Sequence, residues 1–89
     1  MNKIFDELKI NNKINNQEIK FSNGRYIGET VNGLAEGKGI WHGYNCNRYE
    51  GEWRNGKKEG KGIFYFNDGD IYEGDWRNDK REGKRNLLL

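Results

Sequence analysis

Two stretches of this chain are nearly identical: YEGEWRN at 49–55 and YEGDWRN at 72–78. Tyr26, Tyr49 and Tyr72 stand 23 residues apart, and Gly28, Gly51 and Gly74 follow them at the same offset. A second complete series is Gly37, Gly60 and Gly83. Two further series fail only in the last unit, where Gly33 and Gly56 give way to Asp79, and Gly39 and Gly62 to Arg85. A fixed period of this length signals a repeat architecture, in which each unit buries its apolar face against its neighbours.

The central unit shows what one copy folds into. Along an extended chain Tyr49, Gly51 and Trp53 share one side, and Glu50 and Glu52 the other. Asn55-Gly56 is a strong hairpin-turn signal. The run from Lys61 to Asn67 alternates again, with Gly62, Phe64 and Phe66 on one face and Ile63 and Tyr65 on the other. Asp68-Gly69 then turns the chain once more. Each unit therefore reads as a hairpin in a continuous meander. Glycine weakens a strand interior, so Gly51, Gly62 and Gly74 need a reason. Alternating with aromatics, they leave bare backbone on which a neighbouring ring can lie. Gly56 and Gly69 read as turn markers.

Composition agrees with strands and turns. The hydrophobic fraction of 33% against 34% charged lies close to that of disordered chains. Aromatics at 13%, with 13 glycines and no proline, point instead to strands joined by tight turns. The length of 89 residues fits one small domain. A net charge of +2 lacks the basic excess of a nucleic-acid binder. The single cysteine, Cys46, forms no internal disulfide, no apolar run reaches the ~20 residues of a membrane span, and Lys3 precedes no signal-like core. The expectation is a cytoplasmic protein, with peripheral attachment to a membrane or the cytoskeleton as the variant.

The stretch YEGEWRNGKKEGKGIFYFNDG closely resembles the MORN (membrane occupation and recognition nexus) repeat. The resemblance runs over about residues 24–85, with units at 26–48, 49–71 and 72–89. It implies an all-β, elongated antiparallel meander of stacked hairpins. The first unit has Thr30 where Trp53 and Trp76 stand, and the third loses two glycines, which places its second strand in question. Residues 1–23 read as a capping segment or linker. They offer Ile4, Phe5 and Leu8 at helical spacing, an Asn-rich linker (Asn11, Asn12, Asn15, Asn16) and a short EIKF strand, with an unstructured leader as the alternative. Leu87, Leu88 and Leu89 cover the last hairpin, meet a partner, or mark a truncation.

Function is read from what such a ribbon can present. His42 and Cys46 lack the positioned third group and pocket of a nucleophilic site. Metal-site ligand sets are missing, and GKKEGKG lacks the phosphate-loop signature. Relatives in this family join kinase or methyltransferase domains, for which these residues have no room. The expectation is a non-catalytic interaction module with no cofactor, small-molecule substrate or nucleic acid. Its partner is another protein or a second copy, met through the aromatic face of Tyr49, Trp53, Phe64, Phe66, Tyr72 and Trp76. The alternative is weak contact with anionic phospholipid through Arg54, Lys57, Lys58, Arg77, Lys80 and Arg81. The turns 54–61 and 77–85 each carry a net charge of about +2 once Glu52 and Asp75 are counted.

Overall fold

A computed structural model describes residues 13–82 and the backbone of 87–88. The described elements are all strands: β1 (Lys13–Phe21), β2 (Gly24–Val31), β3 (Leu34–Gly43), β4 (Arg48–Arg54), β5 (Lys57–Tyr65), β6 (Ile71–Arg77), β7 (Lys80–Glu82) and β8 (Leu87–Leu88). The first seven pair in chain order, each antiparallel to the last, and β8 pairs with β6. The hairpin meander read from the 23-residue period is the fold.

The turns that close the three hairpins have one conformation. Asn32-Gly33, Asn55-Gly56 and Asn78-Asp79 all place both residues at positive φ: 53° and 80°, 51° and 82°, 50° and 69°. This is the type I′ signature, whose twist matches that of the flanking strands. Asn and Asp tolerate the left-handed region better than other side chains. Asp79 therefore does the work of Gly33 and Gly56, and the third hairpin closes. The doubt over its second strand is corrected: β7 pairs Arg81 with Trp76, and β8 resumes on the same edge of β6 with Leu87 opposite Tyr72. That is the register in which Phe64 faces Tyr49. Gly83 and Arg85 lie outside the described residues.

The N-terminal segment also differs from expectation. Asn15 and Asn16, read as linker, belong to β1, which pairs with β2 from Lys13 opposite Val31 to Phe21 opposite Gly24. A register shift between Ile14 and Gln17 absorbs the two asparagines. The open edge of β2 supplies the reason, since its outward N–H and C=O groups need partners. Ile4, Phe5, Leu8, Asn11 and Asn12 lie outside the described residues.

A second irregularity recurs inside the hairpins. Gly51 faces Gly62, yet Trp53 faces Lys58, so β5 carries extra residues at this point. Gly60 sits in the bulge with φ +84°, and its counterpart Gly37 has φ +96°. A β-bulge leaves ladder groups unpaired. Side chains take them up: Glu52 accepts from the Lys61 amide at 2.8 Å, and Glu29 from the Lys38 amide at 2.8 Å.

All the buried hydrophobic side chains of the described region lie on one face of the sheet: Tyr26, Ala35, Trp41, Tyr49, Trp53, Tyr72 and Trp76. Ile19 and Phe21 from β1, and Phe64 and Phe66, pack against them. A single-layer sheet thus has a core, and rings laid flat on backbone supply it.

Candidate functional site

The aromatic face is built from a tyrosine used in the same way in each unit. The rings of Tyr26 and Tyr49 occupy the space where a Cβ would stand on Gly39 and Gly62 of the neighbouring strand, and the hydroxyls of Tyr26, Tyr49 and Tyr72 stand where a Cβ on Gly28, Gly51 and Gly74 of their own strands would crowd them. Each hydroxyl then donates to the carbonyl three residues on: Tyr26 to Glu29, Tyr49 to Glu52 at 2.9 Å and Tyr72 to Asp75 at 3.1 Å. The tyrosine covers bare backbone with its ring and satisfies a carbonyl at the bulge with its tip. Burial, with help from Glu29 and Glu36, pushes the Tyr26 phenol up to about 12. Burial also raises Tyr49, against the lowering effect of its Glu52 backbone hydrogen bond.

The tryptophans join one unit to the next. Trp53 meets Tyr49 of its own unit edge-on at 5.3 Å and Tyr26 of the preceding unit at 4.9 Å. Trp76 repeats this with Tyr72 at 5.5 Å and Tyr49 at 5.2 Å. Their indole N–H groups donate backwards, to the carbonyls of Gly39 and Gly62 at 3.1 and 3.3 Å. Such edge-to-face pairs add about 0.5–1.5 kcal/mol beyond burial.

Four of the six aromatics read as a protein-binding face are therefore taken up by folding. Tyr49 and Tyr72 are fully buried, and Trp53 and Trp76 are 4% and 6% exposed. Only Phe64 and Phe66 keep partial exposure.

The basic residues divide in the same way. Arg54, Lys57, Arg77, Lys80 and Arg81 are exposed, and Arg77 contacts Glu82 at 3.5 Å. Lys58 is different, because its side chain is only 16% exposed. Its Nζ lies 5.4–5.8 Å from the ring centroids of Trp41, Tyr49, Trp53, Phe64 and Trp76. Asp79 stands 3.7 Å away. Desolvation lowers the Lys58 ammonium from the usual lysine range, and Asp79 pulls it back. Lys58 is thus a cation held inside the aromatic core, not a turn residue offered to a membrane. Register puts Ala35 and Arg81 in the matching slots: Ala35 is buried, and Arg81 lies over Phe66 and Tyr72 at 5.7 and 5.4 Å.

The opposite face carries a feature the sequence reading passed over. Successive pairings align Glu18, Ile27, Ile40, Glu50, Ile63 and Glu73 in one row across the sheet. From Ile27 to Glu73 this row forms one wall of an open groove of about 820 Å³. Lys38, Glu52 and Lys61 form the other wall, and the backbone of the glycine series forms the floor. Ile27, Ile40 and Ile63 are each partly exposed there. Charges at the rim are tied to neighbours: Glu50 to Arg48 at 3.2 Å and Lys61 to Asp75 at 2.7 Å, an ion pair that raises the Lys61 ammonium. The signal was present in the alternation, since the isoleucines fall on the parity opposite to the tyrosines.

His42 lies on β3, facing Arg25 and Arg48 across the ladder, and Cys46 is exposed in the following turn at φ 73°. Among the described residues no cluster of His, Cys, Asp and Glu is arranged to hold a metal ion, and no helix is long and apolar enough to cross a membrane.

Compared with known families, the chain matches the MORN repeat over residues 26–45, 49–71 and 72–84. No curated protein matches it.

Proposed function

The chain belongs to the MORN repeat family, and we propose that it works as a non-catalytic module that docks a protein partner on its glycine-floored groove. The observation that carries this reading is the division of labour between the faces. The aromatic face is consumed in holding the units together, while three isoleucines and a ring of charges line an open groove on the other. Concave, largely apolar sites with a few polar groups at the rim are where partners bind.

The test uses substitutions that leave the aromatic core alone. Ile40→Glu and Ile63→Glu keep the thermal unfolding transition close to that of the wild type. They abolish recovery of a partner that the wild-type chain captures. Capture that survives both changes and disappears on altering Phe64 and Phe66 moves the site to the aromatic remnant instead.

A second reading rests on the exposure of Arg54, Lys57, Lys80 and Arg81 at the turns after β4 and β6, on one edge of the sheet. Each basic side chain near an anionic leaflet contributes about 1 kcal/mol. The contact is therefore weak and salt-sensitive, and Lys58 takes no part in it. Sedimentation with phosphoinositide vesicles across a salt series measures it. Equal binding to neutral vesicles refutes it.

A further inference from the structure

β1 ends the sheet on one side. It pairs with β2 and, among the described residues, with no other strand. Its outer N–H and C=O groups are therefore a template for a further strand. Which groups face outward follows from the hairpin. Phe21 and Gly24 stand opposite each other across the two-residue loop Ser22-Asn23, as the hydrogen-bonded pair that closes it. Alternation then ties Ile19 and Gln17 to β2 and turns the backbone groups of Glu18 and Lys20 outward. The register shift between Ile14 and Gln17 breaks this phase, so the regular part of the edge is residues 17–21.

We propose that two copies of this chain pair their β1 strands antiparallel about a two-fold axis through Ile19, joining their sheets into one. An edge partner must set matching faces opposite each other and meet outward groups with outward groups. Two identical stretches 17–21 satisfy both conditions when centred on Glu18, on Ile19 or on Lys20. Centring on Glu18 or Lys20 sets like charges against each other on the axis, which destabilises the pairing. Centring on Ile19 pairs the whole of 17–21 and places each Lys20 opposite Glu18 of the other copy, twice over by symmetry.

The side chains fit this register on both faces. Lys20 is exposed, stands opposite Arg25 and forms no ion pair among the described residues; Glu18 of the second copy supplies the missing acid. Glu18 reaches Arg25 of its own chain at 3.4 Å while its side chain keeps 43% of its surface exposed, open to a second cation. On the aromatic face Ile19 and Phe21 pack against the core but stay half-buried. Ile19 of the second copy meets Ile19 at the close, non-hydrogen-bonded spacing and extends that core across the axis. An interface this short lies below the standard size, so the dimer is weak and concentration-dependent. The docking groove lies on the other face and stays open in both copies, so this inference goes beyond the docking reading and does not depend on it.

The test is light scattering on the full chain across a dilution series. The mass is expected to rise from monomer to dimer with concentration. Lys20→Glu and Glu18→Lys each set like charges opposite each other and stay monomeric where the wild type is dimeric. Mixed in equal amounts, the two variants form a heterodimer, because each supplies the charges the other lacks; this recovery also shows that both were folded. A wild type that is monomeric at every concentration overturns the proposal. So does a dimer that survives either single variant, or a mixture that stays monomeric. Ile40→Glu leaves the association unchanged; its loss in that variant moves the contact to the groove and also overturns the proposal.

Discussion

The ring of Tyr49 lies where a side chain on Gly62 would begin, and its hydroxyl donates to the Glu52 carbonyl at 2.9 Å. One residue thereby closes the bulge between β4 and β5 and covers the backbone that faces Gly51. The absent Cβ and the present ring are two halves of one contact.

Gly62→Ala therefore costs more than the helix- or strand-propensity scale suggests, because the new methyl group meets the ring and not solvent. Forcing extra atoms into a packed site costs about 1–3 kcal/mol. Tyr49→Ala, which empties a fully buried aromatic site, costs about 3–5 kcal/mol. In the double variant the methyl group has room, so the two losses sum to more than the measured total. Chemical denaturation of the four species gives the coupling energy, and strict additivity contradicts this packing.

Trp76 separates the ring from the hydrogen bond. Trp76→Phe retains an edge-to-face ring beside Tyr49 and Tyr72 but leaves the Gly62 carbonyl without its indole donor. The expected loss is about 1 kcal/mol for the hydrogen bond, plus a part for the lost area. Trp76→Ala removes the link between units, costs about 3–5 kcal/mol and mainly unfolds the sheet. Thermal melting of both variants orders them. Equal losses assign the whole effect to the indole and its hydrogen bond, and none to the ring contact that Phe retains.

The meander, its units and the faces of its strands were legible because the 23-residue period and the period-two alternation agree at every position of the central unit. Tyr49, Gly51 and Trp53 on one side, and Asn55-Gly56 at the turn, are local signals that burial on one face only reinforces. The third hairpin was harder, since a glycine count misses that Asp79 reaches the same left-handed conformation. β1 was underestimated because KINNQEIKF has a polar sequence, and its strand state is dictated by the open edge of β2. The site was least legible. Pattern alone cannot say that the aromatic face closes on itself, or that Lys58 reaches inward among five rings while Lys57 beside it points to solvent.

Thr30 is the one place where restoring the repeat pattern is expected to do harm. Thr30 is fully buried and hydrogen-bonded to the Gln17 side chain of β1. Gln17 faces Gly28 in the register where Gly39 faces Gly51. A tryptophan at 30 needs a bare residue beneath it, and Gln17 is not one. Thr30→Trp destabilises by about 1–3 kcal/mol through overpacking, although it matches Trp53 and Trp76. Gln17→Gly/Thr30→Trp recovers part of that loss. A denaturation series that shows Thr30→Trp more stable than wild type removes β1 as the cap that replaces a preceding unit.

The buried titratable groups give the sheet an alkaline limit whose sign follows from their shifts. Lys58 has a folded pKa below its unfolded value of 10.5. Between the two the unfolded chain binds more protons, so stability rises with pH across that window. The tyrosines act in the opposite sense. Tyr26 is raised from 10.0 to about 12, and Tyr49 is raised as well. Above pH 10.0 the unfolded chain loses protons that the folded chain keeps, and stability falls until the folded phenols ionise in turn. Wild type therefore gains on Lys58→Met as pH climbs toward 10.5, and both lose stability together beyond it. Denaturant midpoints across this range, read beside phenolate absorbance, follow the two processes separately. A Lys58→Met curve parallel to wild type throughout places the Lys58 ammonium in solvent and dissolves the five-ring cage.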